Sequence, residues 1–301
     1  MISRAILETI FNDRSLFRER NFVRRFDAIE LLEGELGVDA GLGSAGLGLW
    51  AAEAAQVRAA LEEVDDRLFA RLRAEIAAGW HRGDEFEELL VTYCGVDAAE
   101  ESGYDMLDLF VNRLCSFLPM PLSTRTLEAE MVDFHKTPVR VVLELAQRIG
   151  PGDVFVDLGA GLGQVVLLVH LLTGVPASGV EIEPAFCRYA RDCAAGLGLP
   201  GAFDPDQAAV PAGVAFVEGD ARFANYSKGT VFFMYTPFTG ELLETVFELL
   251  RREGLSRPFT LVTYGPCTMS AARQSWLRAT GAPPDGVDKL AIFRATGETS
   301  E

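Results

Sequence analysis

The sequence contains little lysine and little histidine for its length. Its 301 residues include three histidines and only three lysines, at positions 136, 228 and 289, and acidic residues outnumber lysine and arginine by 44 to 27. The resulting net charge of −17 repels phosphate backbones and anionic membranes. We therefore expect neither nucleic acid nor a membrane among the partners, whereas a basic protein or a neutral small molecule remains possible.

Paired cysteines and long apolar runs are also missing. The five cysteines form no C-x-x-C pair and the three histidines lie far apart, so no metal site is predicted. Free thiols are typical of a reducing compartment. The longest apolar run, Val165 to Leu172, is far shorter than the ~18 residues that span a bilayer, and the N-terminus has no signal-peptide features. A cytoplasmic protein is the expectation.

Residues 1–125 are expected to form a helical domain. Apolar residues recur every three or four positions over residues 57–76 with acidic residues between them, which predicts an amphipathic helix with an acidic outer face. A second helix is predicted to start at Asp84, and a third covers residues 104–118 and ends before Pro119. The six glycines from Gly34 to Gly48 predict a flexible loop that could act as a hinge.

The hydrophobic pattern of residues 126–301 differs from that of the preceding residues. A helix is predicted over residues 139–149, and short β-rich runs then alternate with helical ones. Near-continuous apolar strands in such an alternation are typical of a parallel sheet that is covered by helices on both faces, so we predict a Rossmann-like α/β domain. The expected strands are 154–158, 178–182, 214–218, 230–235, 259–264 and 290–294, and the expected helices are 164–173, 184–197, 240–252 and 270–279.

The first predicted strand runs into a glycine loop, VFVDLGAGLGQVV. Gly159, Gly161 and Gly163 follow the strand, where glycine permits a sharp turn and the close approach of a ligand. A dinucleotide fingerprint requires G-x-G-x-x-G, but here Gln164 stands in place of the last glycine. Asp157 at the end of the strand disfavours a pyrophosphate and suits a ligand that carries an ammonium group, such as S-adenosylmethionine.

Acidic residues also stand at the next two predicted strand ends. Glu181 lies 24 residues after Asp157, about where a carboxylate reaches ribose hydroxyls. Asp220 follows the third strand and could accept a hydrogen bond from an adenine amino group. Asp157, Glu181 and Asp220 thus match the amine, the ribose and the adenine of S-adenosylmethionine, which we predict as the cofactor. Their neighbours Ile182 and Ala221 are expected to contact it as well.

The sequence from about residue 130 to residue 270 resembles a known family. The runs DVFVDLGAGLGQVV, GVEIEP, EGDA and VFFMYTPFTG are similar to class I S-adenosylmethionine-dependent methyltransferases. They most resemble the Dot-type (disruptor of telomeric silencing) non-SET protein-lysine methyltransferases and their bacterial relatives. The resemblance implies that Phe134 and Thr137 of the run FHKT line the cofactor pocket and that Gln164 belongs to the family's glycine loop.

The segment after the fourth predicted strand, MYTPFTGE, corresponds to the family's catalytic motif. Pro237 and Phe238 are kept, but Tyr235 and Thr236 stand where the family's asparagine is expected. This departure leaves N-methylation and O-methylation both open. The expected catalytic group consists of Tyr235, Thr236 and Phe238, with His135 as a candidate base and Tyr264 as a further aromatic neighbour.

The resemblance implies an S-adenosylmethionine-dependent methyltransferase whose acceptor is an amino or hydroxyl group of a protein lysine or a small molecule. Residues 126–301 would then form the class I methyltransferase domain, and residues 1–125 would cap its sheet and select the substrate. Two alternatives stay open: a partner subunit that binds the cofactor without turnover, and a nicotinamide- or flavin-dependent oxidoreductase. Nothing in the sequence indicates an oligomeric state.

Overall fold

The computed structural model describes residues 4–39, 48–95, 105–199, 213–281 and 286–295. Helices dominate the described residues before position 116, as the sequence predicts. They are α1 (Arg4–Asn12), α2 (Phe22–Asp39), α3 (Gly48–Ala77), α4 (Asp84–Cys94) and α5 (Met106–Cys115), with 3-10 helices at Arg14–Phe17 and Glu19–Asn21.

The helices on both sides extend into the predicted glycine-rich loop. Residues 34–39 form the last turns of α2 and Gly48 begins α3, so the prediction of a loop from Gly34 to Gly48 was wrong at both ends. Residues 40–47 lie outside the described residues. Glycine inside a helix costs about 1 kcal/mol relative to alanine, which the neighbouring helical turns can outweigh.

Two aspartates connect the N-terminal helices to one another and to the rest of the chain. Asp65 of α3 is fully buried and lies 2.6 Å from the buried guanidinium of Arg25 in α2 and 2.9 Å from that of Arg113 in α5. Asp108 in the first turn of α5 accepts a hydrogen bond of 2.9 Å from the amide of Val139, the first residue of α6. These contacts fix the helices relative to the segment that precedes α6.

The rest of the chain forms a seven-stranded sheet covered by helices, in the order β3-β2-β1-β4-β5-β7-β6. The strands are β1 (Phe155–Leu158), β2 (Ala177–Glu181), β3 (Val214–Glu218), β4 (Val231–Tyr235), β5 (Phe259–Tyr264), β6 (Leu277–Ala279) and β7 (Ala291–Ala295). The helices are α6 (Val139–Ala146), α7 (Gln164–Thr173), α8 (Pro184–Gly196), α9 (Gly240–Ser256) and α10 (Cys267–Ala271), with a 3-10 helix at Ala221–Phe223.

The sheet differs from the prediction at its C-terminal edge. The first five strands are parallel, as the sequence predicts, and β7 runs antiparallel to both β5 and β6, so the sheet is mostly parallel. The predicted helix over residues 270–279 was wrong, because residues 277–279 form β6. Pairing with β7 supplies backbone hydrogen bonds to these residues, and Trp276 packs edge-on against Phe259, so tertiary contacts override the helical pattern.

Successive residues of the central strands face opposite apolar layers. Phe155 and Phe233 belong to a cluster that includes α6, α7 and α8 and also side chains of α3, α4 and α5. Phe232 and Leu261 face the other layer, which contains α9. The N-terminal helices therefore share an apolar layer with one face of the sheet, and a domain boundary at residue 125 stays a prediction.

Candidate active site

A cavity of about 440 Å³ lies at the carboxyl ends of β1, β2 and β4. This is the edge of an open α/β sheet at which ligands bind. Fourteen of the sixteen residues expected at the site line it: Phe134, His135, Thr137, Asp157, Gly159, Gly161, Gln164, Glu181, Ile182, Asp220, Ala221, Tyr235, Thr236 and Phe238. Residues far apart in the sequence therefore meet around one space.

Gly159 and Gly161 allow two other segments to approach the loop after β1. Their φ angles of 82° and 53° lie in the region that favours glycine. A Cβ atom at Gly159 would overlap Pro237, and one at Gly161 would overlap the ring of Phe134. The absence of side chains at these positions is what brings the three segments together around the cavity.

Gly163 is one of the two expected residues that lie outside the cavity lining; the other is Tyr264. A Cβ atom at Gly163 would overlap Phe216 and Ala190. Both neighbours belong to the apolar layer between β3 and α8. The absence of a side chain at Gly163 therefore permits close packing at the start of α7.

Two buried carboxyl groups face the cavity. Asp157 in β1 is 3% exposed and Glu181, the last residue of β2, is 8% exposed. Glu181 accepts hydrogen bonds from the amides of Gly161 (2.7 Å) and Glu183 (2.8 Å), which fix its position. Burial, followed by the nearby charge of Glu181, raises the pKa of Asp157 to about 8. Burial also raises the pKa of Glu181. A cation bound beside the pair would stabilise the ionised carboxylates.

Gln164 adds a third acceptor to this part of the cavity. It is the first residue of α7 and is 7% exposed, and its Oε1 atom has no hydrogen-bond partner among the described residues. An unpaired buried acceptor costs about 1–3 kcal/mol, which a donor on a ligand would remove. Together with Asp157 and Glu181, this atom favours a ligand that is rich in hydrogen-bond donors.

Asp220 lines the cavity, but its carboxylate is already engaged. It caps the 3-10 helix after β3 by accepting from the amide of Arg222 (2.8 Å), and it also binds that residue's guanidinium (2.6 Å). The hydrogen bonds of Arg222 lower the pKa of Asp220. This carboxylate therefore holds the turn after β3, and the neighbouring Ala221 supplies an apolar surface to the cavity.

Residues 119–138, here termed the strap, form one wall of the cavity. The structure describes the whole strap, which is irregular apart from a β-bridge between Met131 and Phe238. The amide of Val132 donates to the carbonyl of Pro237 (3.1 Å), and the carbonyl of Glu130 accepts from the amide of Thr239 (2.7 Å). These bonds fasten the middle of the strap to the segment after β4.

Thr236 has an unusual conformation in the segment after β4. Its φ angle is 40°, which is strained for a β-branched residue. Its hydroxyl donates to the carbonyl of Tyr264 (3.2 Å) and accepts from the amide of Cys267 (3.0 Å) at the start of α10. The side chain therefore connects the segment after β4 to the turn between β5 and α10, and its donor is already used.

Aromatic rings flank Thr236. Tyr235 stacks at a tilt against Tyr264 with a centroid distance of 4.8 Å, and burial raises the pKa of both phenols. Phe238 is buried and lines the cavity together with Tyr235, whereas Tyr264 lies behind Tyr235, outside the lining. His135 is exposed at the rim, and its Nδ1 atom lies 2.8 Å from the carbonyl of Asp133.

Several lining residues were missed by the sequence interpretation, among them Ser123, Leu127, Met131, Glu183 and Pro266. Most come from the strap, which carries no periodic pattern and reaches the cavity through tertiary contacts. Glu183 was detectable, because an acidic residue directly before a proline is a signal for the start of a helix. It caps α8 by accepting from the amide of Ala185.

The seven strands, with their order and the antiparallel β7, form the Rossmann-like sheet of the class I methyltransferase fold, with a cavity at the expected edge. Residues 136–197 match the family described as histone methylation protein DOT1. The match spans α6 to α8, which is less than half of the chain, and it includes the glycine loop and both buried carboxylates.

Several solved structures are similar to this chain. An RNA methyltransferase from Salinibacter ruber in complex with S-adenosyl-L-homocysteine is 25% identical over 56% of this chain and 97% of that chain, with a TM-score of 0.41. A SAM-dependent methyltransferase from Geobacter sulfurreducens in complex with the same compound is 25% identical over 42% and 47%, with a TM-score of 0.32. A mutant of MtNAS in complex with S-adenosylmethionine covers 91% of this chain and 97% of that chain at 17% identity, with a TM-score of 0.39. No curated protein matches the sequence significantly.

The described residues offer neither a metal site nor a membrane span. Among the described residues, no group of three or more His, Cys, Asp or Glu side chains could hold a metal ion. None of the helices in the described ranges combines the length and the apolar character needed to cross a membrane. All five cysteines are free thiols.

Proposed function

We propose that the protein is an S-adenosylmethionine-dependent methyltransferase that acts on an amino group, either of a protein lysine or of a small molecule. The observation that carries this proposal is the set of buried acceptors Asp157, Glu181 and Gln164 beside a glycine-lined loop. These groups fit an ammonium group and a ribose diol. They disfavour a pyrophosphate, which needs the N-terminus of α7 free of carboxylates.

The cofactor half of the cavity would hold the ligand as follows. Asp157 and the amide oxygen of Gln164 receive the donors of the amino-acid tail, and Glu181 receives the ribose hydroxyls. Because Arg222 engages Asp220, the adenine would rest against Ile182 and Ala221, with Asp220 holding the turn that carries Ala221. Phe134, against Gly161, covers the ligand from the strap side.

The acceptor half would position the nucleophile. S-adenosylmethionine supplies an electrophilic methyl group on a sulfonium, and in-line placement of an amine against it can contribute roughly 7–11 kcal/mol to lowering the barrier. Tyr235 and Phe238 would flank the approaching amine with aromatic surface. His135, at the exposed rim, is placed to accept the amine's proton.

An amino acceptor is supported by two features of this chain. The match of residues 136–197 to a histone methylation family favours lysine, and the net charge of −17 attracts a basic partner. The same charge opposes an acceptor held on nucleic acid.

Isothermal titration calorimetry with S-adenosylhomocysteine and NAD⁺ would test the cofactor. We expect binding of the first compound and none of the second, and tight binding of NAD⁺ alone would replace this proposal with an oxidoreductase. Transfer of a radiolabelled methyl group to cell lysate, separated into protein and small molecules, would then identify the class of acceptor.

A non-catalytic cofactor-binding subunit is the second candidate. It is favoured by Thr236, whose hydroxyl is occupied by Tyr264 and Cys267 where the resembled family has an amide. Binding of S-adenosylhomocysteine without transfer of label to any fraction would support this candidate over the enzyme.

A further inference from the structure

We propose that Glu183 is a positioning residue whose buried carboxylate pins the start of the strap over the cofactor half of the cavity. The inference rests on the proposed function, because it assigns Glu183 a role in cofactor binding at the same site. Glu183 lies in the turn between β2 and α8, and Ser123 of the strap lines the cavity beside it.

The carboxylate of Glu183 accepts hydrogen bonds from five donors. The side chain is almost completely buried, at 2% exposure. Four of the donors belong to the strap, and the fifth is the amide of Ala185 in α8. They are Ser123 Oγ (2.8 Å), Thr124 N (2.8 Å), Thr124 Oγ1 (2.6 Å), Arg125 N (2.9 Å) and Ala185 N (2.9 Å).

These bonds matter because the strap has no helix or strand to satisfy its backbone. The amides of Thr124 and Arg125 obtain their acceptor from this carboxylate. Burial alone would raise the pKa of Glu183, but the hydrogen bonds, led by that of the Thr124 hydroxyl, lower it, so the carboxylate is ionised. Hydrogen bonds to an ionised acceptor are about twice as strong as neutral ones.

Glu183 also connects the strap with the residue proposed to bind the ribose. Its backbone amide donates to Glu181 Oε1, while Gly161 donates to Glu181 Oε2. One residue therefore orients the Glu181 carboxylate through its main chain and holds the strap through its side chain. Loss of these side-chain hydrogen bonds would open one wall of the cavity without removing Asp157, Gln164 or Glu181, the groups proposed to bind the cofactor.

Glu183 could instead serve only to cap α8 through its bond to Ala185. Substitutions in the strap separate this role from that of holding the strap. Ser123→Ala combined with Thr124→Val removes both strap hydroxyls but leaves Glu183 and its bond to Ala185 in place. Thr126→Val is the matched control, because it changes an exposed threonine of the same strap for which no hydrogen bond to the described residues is found.

The experiment measures the Kd for S-adenosylhomocysteine by calorimetry and the rate of trypsin cleavage after Arg125 by mass spectrometry, with and without that ligand. In both Glu183→Gln and the double variant, we expect about tenfold weaker binding and about tenfold faster cleavage. Thr126→Val should stay within about twofold of wild type on both measures. Saturating ligand should slow cleavage in every protein that binds it.

Wild-type binding and cleavage in the double variant would overturn the proposal and leave Glu183 as a cap of α8. Faster cleavage with unchanged affinity would also overturn it, because the strap would then be held without serving the cofactor. Failure of the wild-type protein to bind S-adenosylhomocysteine would overturn the proposed function instead, and cleavage without ligand would still report whether the carboxylate holds the strap.

Discussion

The two halves of the cavity are built from different chemistry. In the cofactor half, at the ends of β1 and β2, the buried acceptors Asp157, Glu181 and Gln164 face the space, and backbone amides hold Glu181 in position. In the acceptor half, after β4, Tyr235 and Phe238 present aromatic surface and the hydroxyl of Thr236 is already bonded. Under the proposed function, polar recognition would be concentrated on the cofactor, and the acceptor would be selected largely by shape.

Loss of a buried carboxylate from the cofactor half should weaken ligand binding more than any change in the acceptor half. Asp157→Asn or Glu181→Gln removes the charge that we assign to the ammonium group or to the ribose, with little change of volume. Hydrogen bonds to charged groups contribute about 1.5–3 kcal/mol each, so we expect the Kd for S-adenosylhomocysteine to rise by roughly 10- to 150-fold. Isothermal titration calorimetry measures the change.

The matched control for these variants is Asp220→Asn. Asp220 also lines the cavity, but its carboxylate holds Arg222. We expect its replacement to weaken binding several-fold less than either buried variant. An effect of Asp220→Asn as large as that of Asp157→Asn would mean that the polar specificity is not concentrated at β1 and β2.

The glycines of the loop should separate binding from packing. Gly161→Ala places a Cβ atom into the ring of Phe134 at a positive φ, so we expect about tenfold weaker binding as the wall shifts. Gly163→Ala instead meets Phe216 and Ala190 in the core, and it should lower the free energy of unfolding by about 1–3 kcal/mol.

Calorimetry and urea denaturation of the two glycine variants provide the measurements. We expect the larger change in Kd from Gly161→Ala and the larger change in stability from Gly163→Ala. The reverse order would return Gly163 to the ligand-binding residues.

The contrast between Gly161 and Gly163 shows what the sequence could and could not predict. The strand ends and their acids follow a local pattern, because parallel strands bring their carboxyl ends to one edge, and the structure places Asp157, Glu181 and Asp220 around one cavity. Which glycine faces the ligand depends on Phe134 and Phe216, whose positions arise from tertiary packing.

The strap before Phe134 and the strand β6 were beyond prediction for a related reason. The strap has no periodicity, and its place depends on the carboxylate of Glu183 and on the bridge between Met131 and Phe238. The strand at residues 277–279 depends on pairing with β7, so its own residues carry only a weak signal. Elements that obtain their hydrogen bonds from distant residues are the ones that local patterns miss.

A change of pH should alter ligand binding in the cofactor half by a smaller factor than the loss of a carboxylate. With a pKa of about 8, Asp157 is mostly protonated in the ligand-free protein at pH 7, and pairing with a ligand's ammonium group requires its ionised form. Ligand binding should therefore release protons, and the Kd for S-adenosylhomocysteine should fall by up to about tenfold from pH 7 to pH 8.5. Calorimetry in buffers with different ionisation enthalpies measures the released protons.

The same group should affect stability with the opposite sign. Because the pKa of Asp157 is raised from 3.8 to about 8 by folding, the folded state holds an extra proton between these values. Through this group, the ligand-free protein should lose stability as the pH rises from 5 to 8, and the increase in Tm produced by ligand should grow. Asp157→Asn should flatten both trends, and a wild-type Kd that is independent of pH would contradict the assignment.

The smallest effect on cofactor binding is expected from the acceptor half, at Thr236. Thr236→Asn replaces a β-branched residue at a φ of 40° with one that tolerates this conformation, but it gives up the bonds to Cys267 and Tyr264. Because these changes oppose each other, the free energy of unfolding should stay within about 1 kcal/mol of wild type. Thr236→Val keeps the strain and loses the hydroxyl, so it should destabilise by about 1–3 kcal/mol.

Both Thr236 variants should bind S-adenosylhomocysteine within about twofold of wild type, because Thr236 makes no contact in the cofactor half. A loss of affinity comparable to that of Asp157→Asn would remove the distinction between the two halves. The rate of methyl transfer provides a further measurement. The side-chain amide in Thr236→Asn adds an acceptor oxygen beside Tyr235 and Phe238. An amine can donate a hydrogen bond to this oxygen, whereas a deprotonated hydroxyl cannot. Faster methyl transfer by Thr236→Asn than by wild type would therefore support an amino acceptor. Slower transfer by both Thr236→Asn and Thr236→Val would show that the hydroxyl of Thr236 itself shapes the acceptor half.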